Sequence, residues 1–277
     1  MKLPLAICQM KVQAEKEVNL RRAEEMITNA ATKGARMIVL PEIFNSPYQA
    51  ALFPDYAEIF PGKTSKFLSR MAKQHSVCLV GGSIVEKDEN NKIYNSSYVF
   101  DETGELIKRY RKAHLFDIDL PGRISFKESS TLSPGNNLAV FTYDSIPTGL
   151  MICYDIRFPE LSRALALEGA RLLIIPAAFN LTTGSAHWDL LMRCRAVDNQ
   201  LFVVAASPAR NPDASYQAWG HSMIVDPWGT VIAEAAEAEE IILAELDFSL
   251  VEKIREELPL LKQRRKDLYQ INYKREE

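Results

Sequence analysis

Cysteine and histidine are both scarce in this chain, with four of each in 277 residues. Cys8, Cys78, Cys153 and Cys194 lie far apart and show no paired metal spacing, so neither a zinc site nor a disulfide framework is written in them. Three of them, Cys8, Cys78 and Cys153, sit in or at the end of apolar runs, which fits reduced thiols and a cytoplasmic setting. There is no Pro/Gly/Ser-rich linker and no low-complexity tract, and no stretch approaches transmembrane length. The amino end opens directly on a strand-like segment, so no signal peptide is expected. An excess of either charge is missing too. The net charge of −3 gives no general attraction to nucleic acid or membrane. What is abundant is apolar sequence, 47% of residues, running on throughout without a break. We therefore expect a single domain over 1–277, with a C-terminal tail from about 258.

The most informative stretch is Gly149-Leu150-Met151-Ile152-Cys153, followed at once by Tyr154-Asp155-Ile156-Arg157-Phe158-Pro159. A buried strand delivers a thiol to the point where the chain turns out of a sheet. Pro159 suits the first turn of a helix, where its missing N–H is not needed, and Gly169 suits the C-terminal cap. A thiol at a strand–turn–helix junction is well placed for a nucleophile, with N–H groups of the turn nearby.

The chain also repeats itself. Residues 34–45 (GARMIVLPEIFN) align with 169–180 (GARLLIIPAAFN), identical at six of twelve positions. Upstream, Leu5-Ala6-Ile7-Cys8 is matched to Leu150-Met151-Ile152-Cys153. The pattern predicts two related strand–helix–strand–helix–strand halves around parallel or mixed sheets covered by helices. The copies differ at Glu42, whose counterpart is Ala177. A carboxylate at a buried strand end either caps a loop or carries a raised pKa, as a general base requires. A cation follows in Lys108-Arg109-Tyr110-Arg111-Lys112-Ala113-His114, where either lysine, set beside the thiol, would favour thiolate and stabilise an oxyanion. The residues alone leave Lys108 against Lys112 open, and His114 against Glu42 as base. Arg157 either forks onto a substrate carboxylate or bonds Asp155 or a loop carbonyl.

Leu40-Pro41-Glu42, the segment from Tyr110 through Lys112 to Asp117, and the segment from Ile152 through Cys153 to Glu160 together resemble the Glu–Lys–Cys signatures of the nitrilase superfamily of carbon–nitrogen hydrolases. The resemblance runs from Leu5 to about Tyr269 and is closest to the omega-amidase branch, through Phe44 to Tyr48, Phe179 to Gly184 with His187-Trp188, and Arg195 to Gln200. It implies an α/β fold, an α-β-β-α sandwich of two pseudo-symmetric halves, assembled as a homodimer or larger homo-oligomer. It further implies Cys153 as nucleophile, Glu42 as general base and acid, and Lys112 as oxyanion stabiliser with the Tyr154 backbone N–H. Glu128 matches the second carboxylate, which holds Lys112. Arg157 and Thr183, with Tyr48 beside them, match positions linked to the substrate carboxylate. The implied substrates are monoamides of short dicarboxylic acids, 2-oxoglutaramate and 2-oxosuccinamate, with no metal or other cofactor and no nucleic-acid or membrane partner. The 119–130 segment reads as a lid.

Overall fold

The protein is described by a computed structural model covering residues 1–122 and 124–273. Arg123, inside the lid-like segment, and residues 274–277 of the expected tail lie outside the described residues. The first half builds Lys2–Gln9, Met37–Val39 and Cys78–Val80 as parallel strands, joined through the helices Lys16–Thr32 and Lys63–His75. The second half builds Ile146–Leu150, Leu172–Pro176 and Phe202–Ala206 in the same way, through Pro159–Leu167 and Leu181–Asn199. Antiparallel strands extend each core, giving among the described residues a seven-stranded and a six-stranded sheet. The late strand Glu240–Asp247 returns to pair with Lys2–Gln9, so the end of the chain closes the first sheet.

Side-chain alternation sets the layers. Leu5, Ile7, Met37 and Val39 share one core with Ile152, Leu173 and Val204 of the second half. Their neighbours Ala6, Cys8, Ile38 and Leu40 instead pack with Leu20, Met26, Leu68 and Met71 of the two helices. The second sheet carries Leu165, Trp188 and Met192 of its own helices in the same continuous core. The arrangement is the α-β-β-α sandwich that the family resemblance implies, built from the two halves expected from the repeat.

The pseudo-symmetry reaches single hydrogen bonds. The Arg36 N–H donates to Pro4 O and the Arg171 N–H to Pro147 O, both at 2.9 Å. Gly34 and Gly169 both turn out of a helix at positive φ, +90° and +99°, where a side chain would be strained. These pairings correct the upstream alignment by two residues. Leu5 sits beside Met37, and Thr148 beside Leu172, so Leu5 corresponds to Thr148. Pro4 matches Pro147, and the counterpart of Cys153 is Met10, not Cys8. Short apolar runs look alike at several offsets; strand pairing selects one.

Candidate active site

Cys153 lies just past the strand Ile146–Leu150 and opens a tight turn, Cys153–Arg157, in the left-handed region at φ 47°. Such a backbone is held only when its surroundings over-determine it. Asp155 supplies much of that constraint. Its buried carboxylate accepts from the N–H groups of Ile152 (3.0 Å) and His114 (2.9 Å) and from the Tyr110 hydroxyl (2.7 Å). The thiol is 4% exposed, and the Ala178 N–H points at Sγ from 3.5 Å.

Glu42 arrives at the same place from the first half. Its strand end is pinned because Ile43 N–H donates to Ser83 Oγ (3.0 Å) and Ser83 N–H to Pro41 O (3.2 Å). Gly82 makes that approach possible, since a Cβ there would lie 2.0 Å from Pro41 O. Glu42 Oε1 accepts from Lys112 Nζ (2.9 Å) and Asn95 Nδ2 (2.8 Å), and the Cys153 thiol is a hydrogen-bonding neighbour of the same buried carboxyl.

Lys112, just beyond the strand Leu106–Arg111, is fully buried and also donates to Glu128 at 3.0 Å. Glu128 follows the hairpin of Asp117–Leu120 and Ile124–Lys127, and its Oε2 accepts from the Phe116 N–H at 2.6 Å. Tyr48, read from the sequence as a substrate contact, puts its hydroxyl into this network, 2.6 Å from Glu128 Oε1 and 3.3 Å from Glu42 Oε1.

Burial raises the Glu42 carboxyl; Lys112 opposes that shift and Glu128 reinforces it. Burial works to lower Lys112, but Glu128 and Glu42 outweigh it and hold the ammonium charged, well above its ordinary range. The Cys153 thiol is pushed up by burial and by Glu42, against the pull of Lys112. The lysine therefore does not produce a resting thiolate, contrary to what its charge alone suggests. Sulfur loses its proton only if a neighbour takes it, and the Glu42 carboxyl is the hydrogen-bonding neighbour of the thiol.

The other sequence candidates are separated by position. Lys108 lies on the strand across from Val99, lining a different groove, and His114 is tied to Asp155 at 2.8 Å and stacked on Phe158. Arg157 sits in a narrow cleft with Cys153, Tyr154 and Thr183, its guanidinium 4.7 Å over the Phe179 ring. Among the described residues no carboxylate pairs with it: Asp155 is engaged elsewhere, and its polar neighbour is His187 Nδ1 at 3.1 Å. Burial depresses the Arg157 pKa. Thr183 stands in the first turn of Leu181–Asn199, capped by Asn180. Sequence reasoning missed Asn95, whose side chain fixes Glu42, and Tyr216, which walls the cleft and donates to Ala178 O at 2.5 Å. Neither stands in a segment with a readable signal; both reach the site through the fold. Among the described residues, no group of three or more His, Cys, Asp or Glu side chains is arranged to hold a metal ion.

The carbon-nitrogen hydrolase family model matches residues 4–256. The chain is 51% identical to Omega-amidase NIT2-A of Xenopus laevis over 274 residues, 99% of each chain. It is 50% identical to Omega-amidase NIT2 of Homo sapiens over 271 residues, 98% of each. Among solved structures, Saccharomyces cerevisiae Nit3, a member of branch 10 of the nitrilase superfamily, superposes with a TM-score of 0.89 at 46% identity, covering 95% of this chain and 97% of that one. By sequence, fold and full-length coverage, this chain belongs to the carbon-nitrogen hydrolase family of the nitrilase superfamily.

Proposed function

We propose that the chain is an omega-amidase that hydrolyses the terminal amide of short dicarboxylic monoamides, 2-oxoglutaramate and 2-oxosuccinamate, through a thioester on Cys153. The relatives named above carry that activity in their names at about half identity over full length. The observation that carries the reading is the unpaired Arg157 guanidinium in the same cleft as the thiol. An amide bound with its carboxylate on Arg157 presents its carbonyl to sulfur.

Attack and deprotonation go together. Sγ bonds to the carbonyl carbon while its proton passes to Glu42, because the resting thiol is held protonated. Lys112 Nζ lies within hydrogen-bond reach of Glu42, Glu128 and, at 3.4 Å, the Tyr48 hydroxyl; with the substrate bound, the donor facing Tyr48 turns to the oxyanion, which it stabilises together with the Tyr154 N–H. One such donor contributes roughly 3 kcal/mol. Glu42 then hands its proton to the departing ammonia, and later takes one from the water that cleaves the thioester. Glu128 and Tyr48 hold Lys112 in place. Arg157 and Thr183 take the carboxylate, with Tyr154 and Phe179 as walls.

A cytoplasmic setting agrees with four free cysteines, and no helix among the described residues is long and apolar enough to cross a membrane. We also propose a homodimer. Leu190 and Val197 on one helix, and Trp228 next to Gly229, whose backbone packs on Val197, are exposed at 64%, 42% and 61%, and a symmetric partner would cover them. Light scattering tests this assembly.

Ammonia release from 2-oxoglutaramate tests the chemistry. Arg157→Lys and Arg157→Ala sharpen it, because a fork on a carboxylate contributes about 2 kcal/mol, or roughly 30-fold in kcat/KM. That loss should appear with 2-oxoglutaramate and be much smaller with an uncharged amide of similar length. Equal losses on both would reassign Arg157 to support of the nucleophile turn.

A further inference from the structure

Arg157 is held on two sides, and neither holder is an anion. Its half-buried guanidinium lies 4.7 Å from the centre of the Phe179 ring and 5.6 Å from that of Tyr154, contacts that a cation makes with aromatic faces. At its edge, Nη1 meets His187 Nδ1 at 3.1 Å. A guanidinium donates hydrogen bonds and accepts none, and it does not give up its proton. Nδ1 is therefore the acceptor, the ring proton sits on Nε2, and His187 is neutral in this contact. His187 follows Thr183 by four residues on the helix Leu181–Asn199, so the two project from one face of that helix. Thr183 lines the cleft with Arg157 and Cys153. The helix thus carries the imidazole that braces the guanidinium beside the thiol.

Charge explains why an imidazole suits this place. An aspartate or glutamate would grip the fork in a bidentate pair, cancel its charge and compete with an incoming carboxylate. An apolar residue would leave the guanidinium free to turn, and ordering it at the moment of binding weakens affinity. A neutral lone pair takes one N–H and leaves the other donors, with the full positive charge, for a ligand. We propose that His187 is a positioning residue for substrate choice: it turns the Arg157 fork into the cleft and makes the enzyme selective for amides that carry a carboxylate. The inference rests on Arg157 as the reader of that carboxylate.

The kinetic signature follows from where the contact is made. His187 bonds Arg157 and none of Cys153, Glu42 or Lys112. A carboxylate anchored away from the reacting amide is bound alike before and during reaction, so a loosened anchor raises KM and leaves kcat nearly unchanged. His187 is itself exposed, so replacing it leaves no cavity in the core.

The test measures ammonia release from succinamate and from the uncharged pentanamide with the purified full chain; where pentanamide turns over too slowly, its Ki against succinamate is read instead. His187→Leu should raise KM for succinamate about fivefold, with kcat within about twofold and pentanamide little affected. His187→Asn keeps a neutral acceptor and should restore KM to within about twofold of wild type. His187→Asp should be the worst, raising KM about 30-fold, as far as loss of the guanidinium itself, because its carboxylate occupies the fork. That order, Asn better than Leu and Leu better than Asp, is not what a structural role on an exposed helix face would give. An unmoved KM in His187→Leu, equal rises on both amides, or an Asp variant no worse than Leu overturns the inference. If Arg157→Ala still loses succinamate selectively, the carboxylate reading stands without His187; if Arg157→Ala loses both amides equally, that reading falls too.

Discussion

In the first half, the strand Met37–Val39 runs on through Leu40 and Pro41 into Glu42; in the second, Leu172–Pro176 runs on into Ala177. The backbones around these ends are close copies. Val77 N–H donates to Ala72 O (3.1 Å) and Leu201 N–H to Ala196 O (3.3 Å) after matching helices. Yet the first copy ends in a buried carboxylate and the second in a methyl group. The strands before them diverge the other way: Met10 continues into core, while its counterpart Cys153 breaks into a left-handed turn. A duplicated frame thus supplies positions, and each half contributes a different side chain to one junction. Lys112 and Glu128, which lie in the connection between the halves, hold the junction together.

The largest break in this comparison is at the two strand-end sulfurs. Cys153→Ala should lower amidase turnover on the order of 10⁴-fold or more, because no second thiol reaches the site. Cys8→Ala should keep most activity. Cys8 packs against helices, burial pushes its pKa up to about 12, and its loss should reduce stability by about 1 kcal/mol. Turnover by Cys153→Ala, or inactivation by Cys8→Ala, would reverse the assignment of the two halves.

The next test moves the carboxylate. Glu42→Gln should fold normally and lose roughly 10²- to 10⁴-fold in kcat, the contribution of a positioned proton carrier. Ala177→Glu should do the opposite kind of damage. Ala177 is fully buried in the apolar core, so a new carboxylate there should destabilise the fold by about 3 kcal/mol or more. Denaturant titration of both variants separates the outcomes. A stable Ala177→Glu protein would mean that Lys112 is not what makes Glu42 tolerable.

A smaller effect lies in pH. Burial raises the Glu42 pKa above its ordinary 4.5, Lys112 lowers it and Glu128 raises it. In the proposed mechanism Glu42 is ionised when it receives the thiol proton, so kcat/KM should rise with pH through a limb above the usual carboxylate range. Glu128→Gln removes a raising cause and should shift the residual limb to lower pH. The sign for stability is opposite. The folded state prefers protonated Glu42, so this contribution is complete below 4.5 and is lost as pH rises through the raised value. An unmoved limb in Glu128→Gln would separate that carboxylate from the proton chemistry.

What the sequence revealed follows from what is local. Gly34, Gly169 and Pro159 mark element ends because φ and N–H demands are properties of single residues. Cys153 and Glu42 were legible as polar groups ending apolar runs. The residues by themselves did not separate Lys112 from Lys108, which depends on which strand faces pair across Ile93–Phe100; the family resemblance pointed to Lys112. Asn95 and Tyr216 were invisible because their partners lie 53 and 38 residues away. The two-residue error at Leu5 came from reading similarity where the strand pairing, with the Pro4 and Pro147 hydrogen bonds, defines register. For Arg157 the sequence alone could not remove the pairing with Asp155, which the structure does, because Asp155 is occupied by Ile152, His114 and Tyr110.

The finest comparison concerns the caps of the second helix in each half. Ser76 ends Lys63–His75 at φ 51°, ψ 49°, and Gln200 ends Leu181–Asn199 at φ 51°, ψ 57°. Both are left-handed positions where a side chain is strained and glycine is not. Ser76 is exposed, so Ser76→Gly relieves strain and removes little else. It should stabilise by about 0.5 kcal/mol, raising Tm by roughly 1 to 2 °C. Gln200 gains the same relief but is 1% exposed, and its Nε2 donates to the Leu258 and Ile254 carbonyls. Gln200→Gly frees those buried acceptors and should destabilise by about 1 kcal/mol net. Thermal unfolding of the two variants should therefore shift in opposite directions from equivalent backbone positions. Shifts of the same sign would mean that cap strain alone governs both, and that the Gln200 side chain does not hold the C-terminal segment onto the second half.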